Sequence, residues 1–110
     1  MERLVRGDVI VLEFPFSDLT SYKRRPSLII KVPEGEDVII CQITAESQKK
    51  DVEIPIRNNE FSKGRLKRDS YVRIDKITTI KQTRIKYKIG SLKSEKVKEI
   101  IDKIISFLKD

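Results

Sequence analysis

Short apolar runs rich in β-branched residues, separated by turn-forming residues, fill most of the chain and predict a series of β-strands. The runs cover residues 9–14, 26–32, 37–44, 52–56, 70–77 and 83–89. Pro15 is expected to end the first strand and Gly90 the last. The polar residues 17–25 and the basic residues 57–69 are expected to form loops. The pattern therefore predicts about five or six short strands.

The last segment has a different period, because its apolar residues recur every three to four positions, as on one face of a helix. The face comprises Val97, Ile100, Ile101, Ile104, Ile105 and Leu108. Ser94 is a suitable N-cap, and Glu95 follows it at the positive end of the helix dipole. We expect this face to pack on the core, with a contact between two copies of the chain as the alternative.

Together these elements predict a mainly β fold, namely a small, strongly bent β-barrel capped by a C-terminal helix. Most connections between the strands are too short for crossover helices, which favours antiparallel pairing. The length of 110 residues fits one compact domain that covers residues 1–110.

The second and third strands flank a tight turn, and their polar residues define a register. Polar residues occupy odd positions in the second strand and even positions in the third, and facing residues lie on one side of a sheet. If the turn lies at residues 34–35, the numbers of two facing residues add up to 69. A register displaced by two residues, with a sum of 71, also places polar residues opposite polar residues. The predicted pairs are Ser27–Gln42, Arg25–Thr44, Leu28–Cys41 and Ile30–Ile39. Arg25 and Thr44 are therefore expected side by side at the open end of the hairpin.

The net charge of +7 and the pI near 9.6 favour polyanionic partners, chiefly nucleic acid, an acidic protein tail or a membrane surface. Lys23, Arg24 and Arg25 are consecutive, so they need either solvent or a negative ligand. The planar guanidinium of Arg25 suits phosphate, and the hydroxyl of Thr44 adds a donor of different geometry. The pair outlines a phosphate site, and two ordinary surface residues at a strand end remain the alternative.

The composition excludes several classes of site. Histidine is absent and Cys41 is the one cysteine, so neither a zinc site nor an internal disulfide is expected. Cys41 lies in an apolar run and is expected in the core. Asp8 and Glu13 interrupt the N-terminal apolar stretch, and no run reaches the ~18 apolar residues of a membrane span. We expect a cytoplasmic protein that does not bind a membrane.

Several segments resemble the MazF/PemK family of toxin endoribonucleases. They are the opening "RGDVIVLEFPFSDLTSYKRRPSLII", then "QITAES", then "LKRDSYVRIDKITTI", and "IGSL" before the final helix. The resemblance covers nearly the whole chain and implies an SH3-like barrel with a C-terminal helix, assembled as a homodimer. It also implies sequence-specific cleavage of single-stranded RNA, including mRNA, at short sequence motifs and without a metal or cofactor, leaving a cyclic phosphate or 3′-phosphate and a 5′-hydroxyl. The implied protein partner is a cognate antitoxin with an acidic C-terminal tail.

The resemblance also suggests roles for individual residues. The catalytic arginine and the catalytic threonine or serine of the family fall on Arg25 and Thr44. The candidate RNA-binding residues are Phe16, Ser17, Asp18, Lys23, Arg24, Arg65, Lys67, Arg68 and Arg84. Phe16 is a candidate for stacking on a base, whereas the cations are candidates for contacts with the RNA backbone. For each of them an ordinary structural or surface role is the alternative.

Two features depart from the family pattern. The loop between the first two strands contains no glycine, which family members often have there. Glu46 follows the Ile-Thr motif closely, where a carboxylate repels phosphate unless it turns away. Neither departure affects Arg25 or Thr44.

Two other functions remain open from the sequence. A non-catalytic nucleic-acid-binding barrel shares the charge and the fold, but it does not need Arg25 beside Thr44. The other function is inhibition of a protein target such as gyrase by a toxin of the same fold, as in CcdB-like members. Those members typically use a C-terminal tryptophan, whereas this chain has none and ends "ISFLKD".

Overall fold

The computed structural model describes residues 3–15 and 22–110, with the side chains of residues 14, 15, 22 and 23 outside the description. The strands are β1 (Asp8–Pro15), β2 (Tyr22–Lys31), β3 (Asp37–Thr44), β4 (Glu53–Ile56), β5 (Phe61–Lys63), β6 (Ser70–Lys81) and β7 (Ile85–Leu92). Helix α1 (Ser94–Lys109) follows, and short 3₁₀ turns occupy Asn58–Glu60 and Gln82–Arg84.

The strands of the described residues form one curled antiparallel sheet in the order β4-β6-β3-β2-β1-β7-β5. The predicted class, mainly β with a C-terminal helix, is confirmed. The seven strands exceed the predicted number because β5 lies inside the segment predicted to be a loop. This short strand pairs with β7, a contact between residues distant in sequence that leaves no local pattern.

Several predicted boundaries are wrong, and β6 for example extends to Lys81 rather than to residue 77. Residues 22–25 belong to β2 rather than to a loop, because they pair with β1, where Glu13 lies opposite Arg24. Gly90 does not end the last strand, since β7 continues to Leu92. A Cβ atom at Gly90 would lie 2.2 Å from the carbonyl oxygen of Lys63 and 2.9 Å from Cα of Gly64. Glycine is therefore needed there for close approach of two backbones, not to break the strand.

The β2–β3 hairpin follows the predicted register only in part. Ser27 faces Gln42 and Leu28 faces Cys41, as expected for paired numbers that add up to 69. Beyond Ile29 the register shifts, so that Lys31 instead of Ile30 faces Ile39. A bulge in one strand adds a residue without changing the apolar character of the run, which explains the wrong pair.

The Gly-Asp pair at the start of β1 fixes the N-terminal segment to β7. Asp8 is fully buried, and its carboxylate accepts hydrogen bonds from the backbone N–H of Val5 at 2.9 Å and the hydroxyl of Ser91 at 2.8 Å. Its Oδ1 also lies 3.3 Å from Nζ of Lys88. A buried carboxylate requires such partners, so the motif has a structural role in this chain.

The core consists of two apolar clusters, and α1 covers the larger one. Ile100 and Ile104 of α1 are buried against strand residues such as Val9, Leu28 and Cys41. A second cluster includes Ile10, Leu12, Ile29, Val38 and Ile40.

Helix α1 begins at Ser94, so Lys93 rather than Ser94 occupies the N-cap position, and its backbone carbonyl accepts from Lys96 and Val97 N–H. The predicted apolar face packs on the core as far as Ile104, whereas Ile105 is 46% and Leu108 67% exposed. No helix in the described part of the chain is both long enough and apolar enough to cross a membrane.

Candidate active site and nucleic-acid groove

Arg25 and Thr44 line the same open cavity of about 410 Å³, hereafter the Thr44 cavity. The β2–β3 ladder ends at Ser27–Gln42, so the predicted pairing of Arg25 with Thr44 is not part of it. The remaining lining residues are Gln42, Glu46, Gln48, Arg73 and Lys76. The strands thus bring the two residues to one place, and each is partly exposed there.

The hydroxyl of Thr44 is oriented by the residues that follow it. It accepts a hydrogen bond from the backbone N–H of Glu46 at 3.2 Å and donates to the backbone carbonyl of Glu46 at 3.3 Å. Glu46 itself is exposed and is one of the residues that line the cavity. Three cations, on Arg25, Arg73 and Lys76, share the cavity with it, so positive charge predominates.

A bulge in β6 brings a second arginine to the cavity. Cys41 faces Ile77 and Ile43 faces Val72, so residues 73–76 bulge opposite a single β3 residue. Such bulges redirect side chains and are frequent beside active sites. The result here is that Arg73, only 5% exposed, lines the same cavity as Arg25.

Arg73 is held by a bidentate pair with Asp75. Its Nε donates to Oδ1 of Asp75 at 2.9 Å, and its Nη2 donates to Oδ2 at 2.7 Å. These hydrogen bonds are the main reason that the pKa of Asp75 lies below its ordinary value and the pKa of Arg73 above its own. Both groups are therefore charged at neutral pH, and the planar pair fixes the guanidinium in one orientation.

A second cavity of about 380 Å³, hereafter the basic groove, adjoins the first because Arg25 lines both. Its cations come from two segments distant in sequence: Arg24, Arg25, Arg65, Lys67 and Arg68. Its apolar floor includes Val11, Tyr87 and Ile89. The structure thus brings together five of the cations that the sequence analysis selected, beside an aromatic ring that is 49% exposed.

The other selected residues lie elsewhere or outside the described residues. Arg84 does not line the groove, and its Nη2 lies 3.5 Å from the carbonyl oxygen of Glu13. The carboxylate of Glu13 is 3.6 Å from Nε of Arg24, so Arg84 is near one end of the groove. Lys23 belongs to β2, with its side chain outside the description. Phe16, Ser17 and Asp18 lie outside the described residues.

The family model for PemK-like, MazF-like toxins of type II toxin–antitoxin systems matches residues 5–108. The chain belongs to this family. No curated protein sequence matches it significantly. The family assignment agrees with the resemblance seen in the sequence, including the Arg-Pro of β2 and the Ile-Thr at the end of β3.

Solved structures share the fold. An endoribonuclease in complex with its cognate antitoxin, from a mycobacterial species, superposes with a TM-score of 0.76 at 16% identity, over 97% of this chain and 96% of that one. MazE–MazF from Deinococcus radiodurans (Form III) gives 0.74 at 16% identity, over 94% of each chain. The Mycobacterium tuberculosis toxin MazF-mt6 gives 0.64 at 22% identity, over 86% of this chain and 91% of that one. The expected fold is confirmed.

Sequence reasoning missed Arg73, Asp75 and Tyr87 in this MazF/PemK family member. Arg73 and Asp75 are two residues apart in a strand, so they share a face, which was a usable signal of an ion pair. The bulge that turns the pair toward the cavity has no such signal. Among the described residues, no group of three or more acidic, cysteine or histidine side chains is arranged to hold a metal ion.

Proposed function

We propose that this chain is the toxin of a type II toxin–antitoxin pair and a metal-independent endoribonuclease that cleaves single-stranded RNA. Membership of the PemK-like, MazF-like family supports the first part. The observation that carries the second is the shared cavity, which is lined by Arg25, Thr44 and Arg73, with the guanidinium of Arg73 fixed by Asp75. RNA supplies its own nucleophile, the 2′-hydroxyl, which DNA and proteins lack. Action on DNA or on a protein target would therefore require a different site.

In the proposed reaction the 2′-oxygen of RNA attacks the adjacent phosphorus while the bond to the 5′-oxygen breaks. A 2′,3′-cyclic phosphate and a 5′-hydroxyl result, and water takes up the proton of the nucleophile and supplies one to the leaving oxygen. Arg25 and Arg73 stabilise the negative charge on the non-bridging oxygens. The Thr44 hydroxyl turns its proton from the carbonyl of Glu46 to one of these oxygens, while it still accepts from the backbone N–H of Glu46. Arginine acts here as a fixed cation, because a guanidinium keeps its proton in proteins and cannot serve as the base.

The basic groove is the proposed path for the flanking RNA. Arg24, Arg65, Lys67 and Arg68 face the phosphates, and bases lie against the apolar floor that Tyr87 shares. The same RNA is proposed to contact five further residues, namely Phe16, Ser17, Asp18, Lys23 and Arg84. We further propose a homodimer within the cytoplasm, with residues 1–110 as one toxin domain and an antitoxin whose acidic tail competes for the groove.

The proposal is tested with purified chain, free of antitoxin, on a long mixed-sequence single-stranded RNA in EDTA. We expect discrete cuts that leave a cyclic phosphate or 3′-phosphate and a 5′-hydroxyl, seen by end labelling after phosphatase and kinase treatment. The matched control is the same RNA with 2′-O-methyl groups, which should resist. Salt-sensitive binding without cuts would contradict the catalytic proposal and favour a binding module. Cuts in the 2′-O-methyl RNA would contradict the mechanism.

A further inference from the structure

The segment between β3 and β4, residues 45–52, forms one wall of the Thr44 cavity. Glu46 and Gln48 line the cavity from this segment, and Glu46 also makes both backbone hydrogen bonds to the Thr44 hydroxyl. The segment lies on the surface, with residues 46–51 all exposed. Exposed connections of this kind have little intrinsic order. The backbone of Thr44 is held by its pairing with Tyr71 of β6, so what depends on the segment is the orientation of the Thr44 hydroxyl.

One carboxylate fixes it. Oε1 of Glu53 accepts a hydrogen bond of 2.6 Å from the hydroxyl of Ser47, and Oε2 accepts one of 2.8 Å from the backbone N–H of Gln48. The Ser47 hydroxyl in turn accepts the backbone N–H of Lys49 at 3.0 Å. The hydrogen bonds from Ser47 and Gln48 are the main cause of a pKa of Glu53 below its ordinary value. Glu53, Ser47, Gln48 and Lys49 are hereafter the Glu53 network.

The backbone of the segment carries strain that this network offsets. Lys49 has a φ of +54°, in the left-handed region that a lysine rarely adopts. Strain of this kind persists only where surrounding contacts over-determine the conformation. Hydrogen bonds on both sides of Lys49, from Gln48 to Glu53 and from Glu53 N–H to the carbonyl of Lys50 at 3.1 Å, meet that requirement.

Glu53 also faces the second arginine of the cavity. It lies opposite Arg73 in the β4–β6 pair, and the adjacent backbone N–H of Ile74 donates to the carbonyl of Val52 at 3.0 Å. Glu53 is thus attached to the strand that carries Arg73, while its side chain holds the segment that follows Thr44. It lies outside the set of residues that line the cavity.

We propose that Glu53 is a positioning residue for RNA cleavage, which holds residues 45–51 so that the Thr44 hydroxyl stays aligned with Arg25 and Arg73. The inference rests on the proposed function, because it assigns to Glu53 the geometry of that same site. Fixing the segment before RNA arrives removes an ordering step from the reaction, and misplacement of a reacting group by about 1 Å can lower a rate by about 10²-fold.

The test compares Glu53→Ala, Glu53→Gln and wild type by steady-state cleavage over a range of RNA concentrations. We expect Glu53→Ala to lower kcat by roughly 10–100-fold, with KM little changed because the basic groove still binds the RNA backbone. Glu53→Gln should recover part of kcat, since its amide oxygen still accepts one of the two hydrogen bonds. Glu34→Gln is the matched control, because Glu34 is an exposed glutamate in the turn between β2 and β3.

Amide hydrogen exchange separates positioning from general stability. We expect faster exchange at Gln48 and Lys49 in Glu53→Ala, and unchanged exchange in β2, β3 and α1. Wild-type kcat in Glu53→Ala would overturn the inference. So would a fall in kcat accompanied by faster exchange throughout those core elements. If the wild-type chain cuts no RNA, the proposed function fails instead, while the exchange of Gln48 and Lys49 still reports whether Glu53 fixes the segment.

Discussion

Arg25→Ala is expected to lower the rate of RNA cleavage by about 10²–10³-fold, the usual effect of removing one donor from a developing anion. Arg25 lies on a strand and lines both the Thr44 cavity and the basic groove, so a cation from a neighbouring loop cannot easily take the place of its guanidinium. The measurement is single-turnover cleavage of a short RNA that contains one cut site. Thermal unfolding should change little, because Arg25 is partly exposed.

Two further variants sharpen this result. Arg25→Lys keeps the charge but loses the planar fork, so it should recover only part of the activity. Arg3→Ala removes one positive charge at an exposed residue outside both cavities and is the matched control for net charge. An equal loss of activity in Arg3→Ala and Arg25→Ala would mean that overall charge, rather than alignment, explains the effect.

Gly90→Ala is expected to destabilise the fold by about 3 kcal/mol or more, at the upper end of what overpacking costs. The added Cβ would lie 2.2 Å from the carbonyl oxygen of Lys63, which is backbone and has no rotamer to change. The segment that follows, with Arg65, Lys67 and Arg68, would have to move away from β7. Urea unfolding measures the loss, and weaker RNA binding under folding conditions would show that the basic groove has opened.

Gly35→Ala is the matched control for this prediction. Gly35 has a φ of +103° but no atom within 4 Å of an added Cβ, so the substitution introduces only backbone strain, of about 1–2 kcal/mol. In Gly90→Ala, by contrast, the backbone conformation does not require glycine, and the destabilisation comes from the collision of the added Cβ with the Lys63 backbone. An equal loss of stability in the two variants would contradict the interpretation that the close approach of two backbones requires glycine at position 90.

The sequence predicted the parts of the fold that depend on local alternation. The parity of polar positions correctly predicted the pairs Ser27–Gln42 and Leu28–Cys41. Arg25 and Thr44, the next pair it predicted, line one cavity but are not paired in the ladder. Parity failed at Ile39, because a bulge within a continuous apolar run changes the register without changing the pattern.

Other features depend on contacts between distant segments, which single-sequence patterns do not contain. Residues 22–25 look like a polar loop until Glu13 of β1 is placed opposite Arg24. Gly90 looks like a strand breaker until the Lys63–Gly64 backbone is placed against it. The same reason explains why Arg73 was missed, since its approach to the cavity follows from the bulge between β6 and β3.

The burial of Cys41 gives the chain an internal reporter of its own opening. Its side chain is fully buried between Leu28 of β2 and Ile77 of β6, and burial is the main reason that its pKa rises to about 12. The thiolate fraction at neutral pH is therefore on the order of 10⁻⁵. Because the chain has no other cysteine, a thiol-specific alkylating reagent modifies it only when the central strands separate. The rate of that modification measures how often the sheet opens, in a protein that carries no introduced label.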